Sequence, residues 1–243
     1  MKIRKLAVAV AAVAVLTVAS TMLAGCSNGD HRGSSSSSVD FGAAPSVADE
    51  QGGIAISSVG VGVVGNGDVV VDVYVEPLCP PCAHFETGAG RDLVVLTEQP
   101  GVTVRYHIVS FLDDRMPQLN NYGMRAASAL AVVAEKSPEH YTAFLTALFE
   151  HQQAAKSGTS SDADIKAVAA RAGVPVDVLL LLASNGVDGL PVYASFVNQT
   201  TLTAQSSLQK VGGLSTPTVL VNGQRADWSD GAALLSAIEA AKG

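Results

Sequence analysis

Apolar and polar positions along this chain follow two periods. Residues 69–75 (Val-Val-Val-Asp-Val-Tyr-Val) form an almost unbroken valine-rich run, which reads as a strand buried on both faces. Residues 102–110 alternate and predict a second strand. Between them, residues 79–97 carry helix-compatible sequence, weakened or kinked at Gly88 and Gly90 and ended by Gln99-Pro100-Gly101. Two shorter strands are expected upstream, at 54–56 and 59–64, punctuated by Gly60, Gly62 and the turn signal Gly65-Asn66-Gly67-Asp68.

From about residue 120 to 208 the period becomes helical. Apolar residues recur at helical spacing over 124–134 and 141–149, and more weakly over 163–171 and 176–183, with a further helix expected over 191–208. Strand character returns at Pro217-Thr218-Val219-Leu220-Val221, before the hairpin dipeptide Asn222-Gly223 and a return strand at 224–226. Ser229 is placed to cap a final amphipathic helix ending near Ala241. The expected fold is α/β: a four- or five-stranded mixed sheet centred on a strand–helix–strand unit, interrupted by an all-helical insertion. No internal repeat is present.

The first 25 residues stand apart from this pattern. Lys2, Arg4 and Lys5 precede an apolar run over 6–16 and then Leu23-Ala24-Gly25-Cys26. The run is too short to span a bilayer comfortably, so it reads as a signal peptide. Leu-Ala-Gly-Cys resembles the bacterial lipobox, in which the cysteine is lipidated and becomes the new N-terminus, here Cys26. The alternative is ordinary secretion with Cys26 as a free thiol. Removing residues 1–25 takes three positive charges and no negative one from a chain of net charge −7, leaving −10. An acidic chain argues against nucleic acid as a partner and against electrostatic attachment to anionic lipid. Any membrane association is then expected to come from the lipid. Residues 27–51 are small and polar and extend the anchor as a flexible tether over 26–52.

With Cys26 holding lipid, two of the three cysteines remain, Cys79 and Cys82. They follow the central strand in the stretch Glu76-Pro77-Leu78-Cys79-Pro80-Pro81-Cys82. The pair falls on the first turn of a helix, where Pro80 and Pro81 fit because those positions need no amide hydrogen. The positive end of the helix dipole favours a thiolate there. A Cys79 thiolate can attack a disulfide, and Cys82 is near enough to resolve the mixed intermediate. An inert disulfide and half a zinc site are the competing readings. A zinc site needs four ligands, no second Cys-x-x-Cys exists, and His84, His107, His140 and His151 show no ligand spacing. Glu76 is either a surface acid at a strand end or a buried carboxylate that exchanges a proton with Cys82, its pKa raised by desolvation. His84 reads as surface, Trp228 as packing, and the sequon Asn198-Gln199-Thr200 as a chance match.

The stretch from Val73 to Phe85, with an acid three residues before the first cysteine and an aromatic three after the second, resembles the active site of DsbA-like thiol–disulfide oxidoreductases of the thioredoxin superfamily, in their exported and lipoprotein actinobacterial forms. The helical stretch 120–208 sits where that family inserts its helical domain, and Gly213-Leu214-Ser215-Thr216-Pro217-Thr218-Val219 resembles its cis-proline loop. The resemblance implies a thioredoxin-like domain over 53–119 and 209–243. It also implies Cys79 as exposed nucleophile, Cys82 as buried resolving thiol, Pro217 as the cis-proline, and Thr216 as a backbone contact for extended substrate. No cofactor beyond the redox-active disulfide and no metal is expected. The strong oxidants of the family carry histidine where this chain has Pro81, so one stabiliser of the thiolate is missing here. The expected activity is disulfide exchange with exported proteins, chiefly as an oxidase, at the outer side of a membrane. A quinone-linked membrane partner, or an electron donor if the direction is reversed, is expected, with a monomeric chain. The alternatives are a reductase or isomerase with the same site, or a lipoprotein that binds peptide or copper without catalysis.

Overall fold

The structure is a computed structural model that describes residues 44–182 and 191–243. The leader, Cys26 and most of the expected tether lie outside the described residues, as does the end of the helix expected over 176–183.

Six strands form one mixed sheet: β1 (Ile54–Ser57), β2 (Gly60–Val61), β3 (Val69–Val75), β4 (Val102–Ile108), β5 (Thr218–Val221) and β6 (Gln224–Arg225), in the order β2-β1-β4-β3-β5-β6. Only β3 and β4 run parallel, in register from Val69 opposite Val102 to Val75 opposite Ile108. A parallel pair needs a crossover, supplied by α1 (Pro80–Thr87) and α2 (Ala89–Leu96). The sheet exceeds the expected four or five strands because both short edge segments, Gly60–Val61 and Gln224–Arg225, pair into it. The expected strand over 59–64 shrinks to Gly60–Val61, since Gly60 and Gly62 take positive φ of 125° and 83° and turn the chain away. The helix expected over 79–97 is two helices, broken at Gly88 (φ −117°, ψ −109°).

Alternation along β3 divides the core. Val71, Val73 and Val75 face the large core shared with Phe85, Leu93, Tyr106, Leu130, Phe144 and Leu145. Tyr74 faces the other way, into a smaller cluster with Val109, Ala204, Leu208 and Leu220. The helical stretch supplies α3 (Tyr122–Lys136), α4 (Tyr141–Lys156), α5 (Asp162–Arg171), α6 (Val176–Leu181) and α7 (Ala194–Ser207). Of these, α4 packs on α1, and α7 packs on β4.

Two boundaries differ from expectation. Residues 44–52, assigned to the tether, belong to the fold. Ala48 bridges to Ile54, Ser46 donates to Glu135 Oε2 from both N (2.7 Å) and Oγ (2.8 Å), and Asp49 pairs with Arg105 at 3.0 Å. Composition cannot register such long-range polar partners. The closing helix α8 (Gly231–Ala241) is capped by Asp230, whose Oδ1 accepts from Ala232 and Ala233 N at 3.0 and 3.2 Å. Ser229 lies one residue before the cap, with its own N and Oγ donating to Asp227 Oδ1. Trp228 packs edge-on against Phe85, ring centroids 6.0 Å apart.

Candidate active site

The C-terminal end of β3, the start of α1 and the loop before β5 meet at the cysteine pair. Cys79 is the N-cap of α1 in extended conformation (φ −78°, ψ 115°), with Pro80 and Pro81 opening the helix. Its carbonyl accepts from Cys82 N at 3.0 Å and Ala83 N at 3.3 Å. Both cysteines are free thiols. Cys82 is buried as expected, but Cys79, expected to be exposed, is only 5% exposed because the Thr216–Pro217 loop covers it, while Pro80 and Pro81 are exposed beside them. The Thr216–Pro217 peptide is cis, and the Cys79 thiol donates to the Thr216 carbonyl oxygen at 3.1 Å. The sequence thus brings together two stretches 137 residues apart.

The two thiols are electrostatically unequal. Hydrogen bonding from Cys82 favours the Cys79 thiolate and outweighs burial, and the Thr216 side chain adds to it, bringing Cys79 down to about 6. Burial, and the hydrogen bond with Cys79, push the Cys82 thiol far above its usual range. One cysteine is therefore set up as an ionised nucleophile and the other as a protonated partner.

Glu76 is fully buried. Its Oε2 accepts from Leu78 N at 2.7 Å, while Oε1 has no hydrogen-bond partner. Burial drives its pKa up to about 8, and the Asp113 carboxylate pushes the same way. The surface reading of Glu76 is thereby excluded. The carboxyl turns toward the Leu78 amide and Asp113, and Cys82 instead meets the Glu76 backbone. Asp113 caps α3 through space, accepting from Gly123 N (2.9 Å) and Met124 N (2.8 Å). A side chain at position 123 would collide with both acids, since a Cβ there would lie 2.8 Å from Glu76 Oε1 and 3.0 Å from Asp113 Oδ2.

Gln152 has no motif to announce it. The signal lies in helical register: Leu145, Leu148, Phe149, Gln152 and Ala155 share the buried stripe of α4, so the glutamine points inward. There its Nε2 donates to the carbonyl oxygens of Pro77 (2.8 Å) and Cys79 (2.9 Å). His84 is exposed, and His107 is a buried residue of β4, paired with Asp72 at 3.0 Å and stacked on Tyr74. Among the described residues, no three His, Cys, Asp or Glu side chains gather to hold a metal ion, and no helix is long and apolar enough to cross a membrane.

The thioredoxin family model matches residues 62–240, most of the chain. The reduced disulfide bond oxidoreductase DsbG of Mycobacterium tuberculosis is 30% identical over 81% of this chain and 90% of its own, with a TM-score of 0.63. Oxidised DsbA of the same organism is also 30% identical, over 79% of this chain and 93% of its own, TM-score 0.60. The serine/threonine-protein kinase PknE of M. tuberculosis is 33% identical over 93 residues, and that match spans 16% of the kinase. The chain belongs to the thioredoxin family and is a DsbA-like thiol–disulfide oxidoreductase.

Proposed function

We propose that this oxidoreductase works outside the cytoplasm as an oxidase of exported proteins, through Cys79 and Cys82, held at a membrane by lipid on Cys26. The observation that carries the site assignment is the Cys79 thiol at the helix N-cap facing the cis Thr216–Pro217 loop. In the oxidised enzyme a substrate thiolate attacks Cys79 Sγ, the bond to Cys82 breaks, and Cys82 leaves and takes up a proton. A second substrate thiolate then attacks the substrate sulfur of the mixed disulfide and expels the Cys79 thiolate. The substrate loses two electrons and the pair gains them. Thr216 and Pro217 receive the extended substrate chain, and Pro80 and Pro81 form the exposed loop between the cysteines. The two cysteines are the redox centre and no further cofactor enters the cycle. A quinone-linked membrane protein reoxidises the pair, and the chain acts as a monomer.

Support for the oxidising direction comes from the low-lying Cys79 thiol, about 6, because stabilising the reduced form makes a disulfide a stronger oxidant. The test is the equilibrium reduction potential against glutathione, in soluble protein beginning after Cys26. A value towards roughly −120 mV is expected, and one towards roughly −270 mV would reverse the direction to a reductase.

A further inference from the structure

The helical stretch sends two polar side chains to the reacting cysteines. Gln152 is 1% exposed and ties the Pro77 and Cys79 carbonyls to α4. Its own Oε1 accepts from Lys156 Nζ, one turn further along, at 3.3 Å. The contacts therefore run from an ammonium, through a buried amide, to the carbonyl of the nucleophile's own residue. Lys156 is the last residue of α4 and is half-buried, so its charge is only partly screened by water.

The start of α1 is poor in donors for a thiolate. Pro80 and Pro81 have no N–H, so the first amide belongs to Cys82, which is shared between the Cys79 carbonyl and the Cys79 sulfur. No imidazole stands between the cysteines. The titratable groups that bear on Cys79 are Cys82 from α1, Glu76 from the end of β3 and Lys156 from α4. Glu76 repels a thiolate when ionised, and Cys82 is neutral when protonated. Lys156 is the attractive charge among them.

We propose that Gln152 and Lys156 form a positioning pair that stabilises the Cys79 thiolate, Gln152 fixing the loop carbonyls and Lys156 holding a cation over the loop. The proposal rests on the exchange reading above. In the half-reaction, the Cys79–Cys82 disulfide takes two electrons and one proton to give the Cys79 thiolate and the Cys82 thiol. A cation beside the thiolate favours that product, so the helical stretch helps set the potential. The mutual influence is visible at the lysine: burial lowers the Lys156 pKa, while Cys79 and Glu76 raise it.

The experiment equilibrates the full-length chain with glutathione and titrates the thiolate by its ultraviolet absorbance. It compares Lys156→Met, Lys156→Arg, Gln152→Ala and the Lys156→Met/Gln152→Ala double variant. Lys156→Met is expected to raise the Cys79 midpoint and move the glutathione equilibrium roughly three- to tenfold toward the disulfide, the size expected for a partly screened charge. Lys156→Arg should restore most of it. The double variant should shift less than the two single shifts added, because the residues act in series. If Gln152→Ala does not fold, the two lysine variants alone carry the test. An unchanged midpoint in Lys156→Met, or an arginine variant as defective as the methionine one, overturns the proposal and leaves the exchange reading standing. A wild-type chain that never equilibrates with glutathione overturns both.

Discussion

Burying Glu76 beneath the active-site loop leaves one carboxylic acid with a pKa of about 8 three residues before Cys79, on the loop that leads to a Cys82 thiol that cannot easily ionise. When Cys82 attacks a mixed disulfide at Cys79, its proton must go to a base, and general bases work best with a pKa near the operating pH. Glu76 meets that condition on the same loop, and its backbone hydrogen-bonds Cys82. We predict that the rate of mixed-disulfide resolution rises with pH through about 8 and levels off above it. Glu76→Gln keeps an oxygen for the Leu78 amide but loses the proton acceptor. It should remove that inflection and slow resolution at neutral pH by on the order of 10². Stopped-flow measurement of resolution in both proteins decides it. A rate and profile unchanged in the glutamine variant would remove Glu76 from proton transfer.

At the scale of elements, the site depends on how closely α3 approaches the end of β3. Gly123 permits that approach, because any Cβ there would push on both Glu76 and Asp113. Gly123→Ala should lower stability by about 1–3 kcal/mol, the usual range for overpacking. It should also displace the inflection near 8, since Glu76 would move relative to Asp113. Urea unfolding and the resolution profile test the two effects together, and a variant identical to wild type in both would show that α3 yields freely. This closeness also explains what the sequence revealed. The strand–Cys-x-x-Cys–helix unit was legible because strand period, proline at the helix start and cysteine spacing are local signals. The contribution of the helical stretch was not, since Gln152, Lys156, Asp113 and Gly123 reach the site from 34 to 80 residues away along the chain, counted from Glu76 and Cys79. Asp72 shows the same limit within β3. The run 69–75 reads as uniformly apolar apart from this acid, yet burial of the carboxylate is outweighed by His107 and Arg105, which hold its pKa below the usual range. Those partners stand on β4, in register beside it or two residues on.

Across the whole molecule, two buried carboxyls make stability depend on pH in a direction opposite to that of ordinary ion-paired acids. Glu86, on α1, is fully buried with Oε1 unpartnered and Oε2 accepting from Tyr106 at 3.3 Å. Burial brings it, like Glu76, up to about 8 from 4.5. A carboxyl whose folded pKa is raised holds its proton in the native state and releases it on unfolding between those two values. Its contribution is complete below about 4.5 and is lost as pH rises through about 8. Asp72 works the other way, but its loss falls near and below 3.8, under the range that matters here. Each pKa unit corresponds to about 1.4 kcal/mol, so one such shift amounts to several kcal/mol. The urea midpoint should therefore fall from pH 5 to pH 8, less steeply above about 6 in the reduced protein, where the Cys79 thiol, lowered from 9.0 to about 6, works the other way. Glu86→Gln keeps an acceptor for the Tyr106 hydroxyl and removes the charge, so it should reduce that slope by roughly one proton's worth. It should also make the protein more stable than wild type at pH 8 while leaving pH 5 little changed. If wild-type stability instead climbs from pH 5 to pH 8, the buried acids are ionised in the folded chain. An unpartnered Glu86 oxygen cannot carry that charge without water, so the core around Tyr106 and Tyr141 would have to be open to solvent.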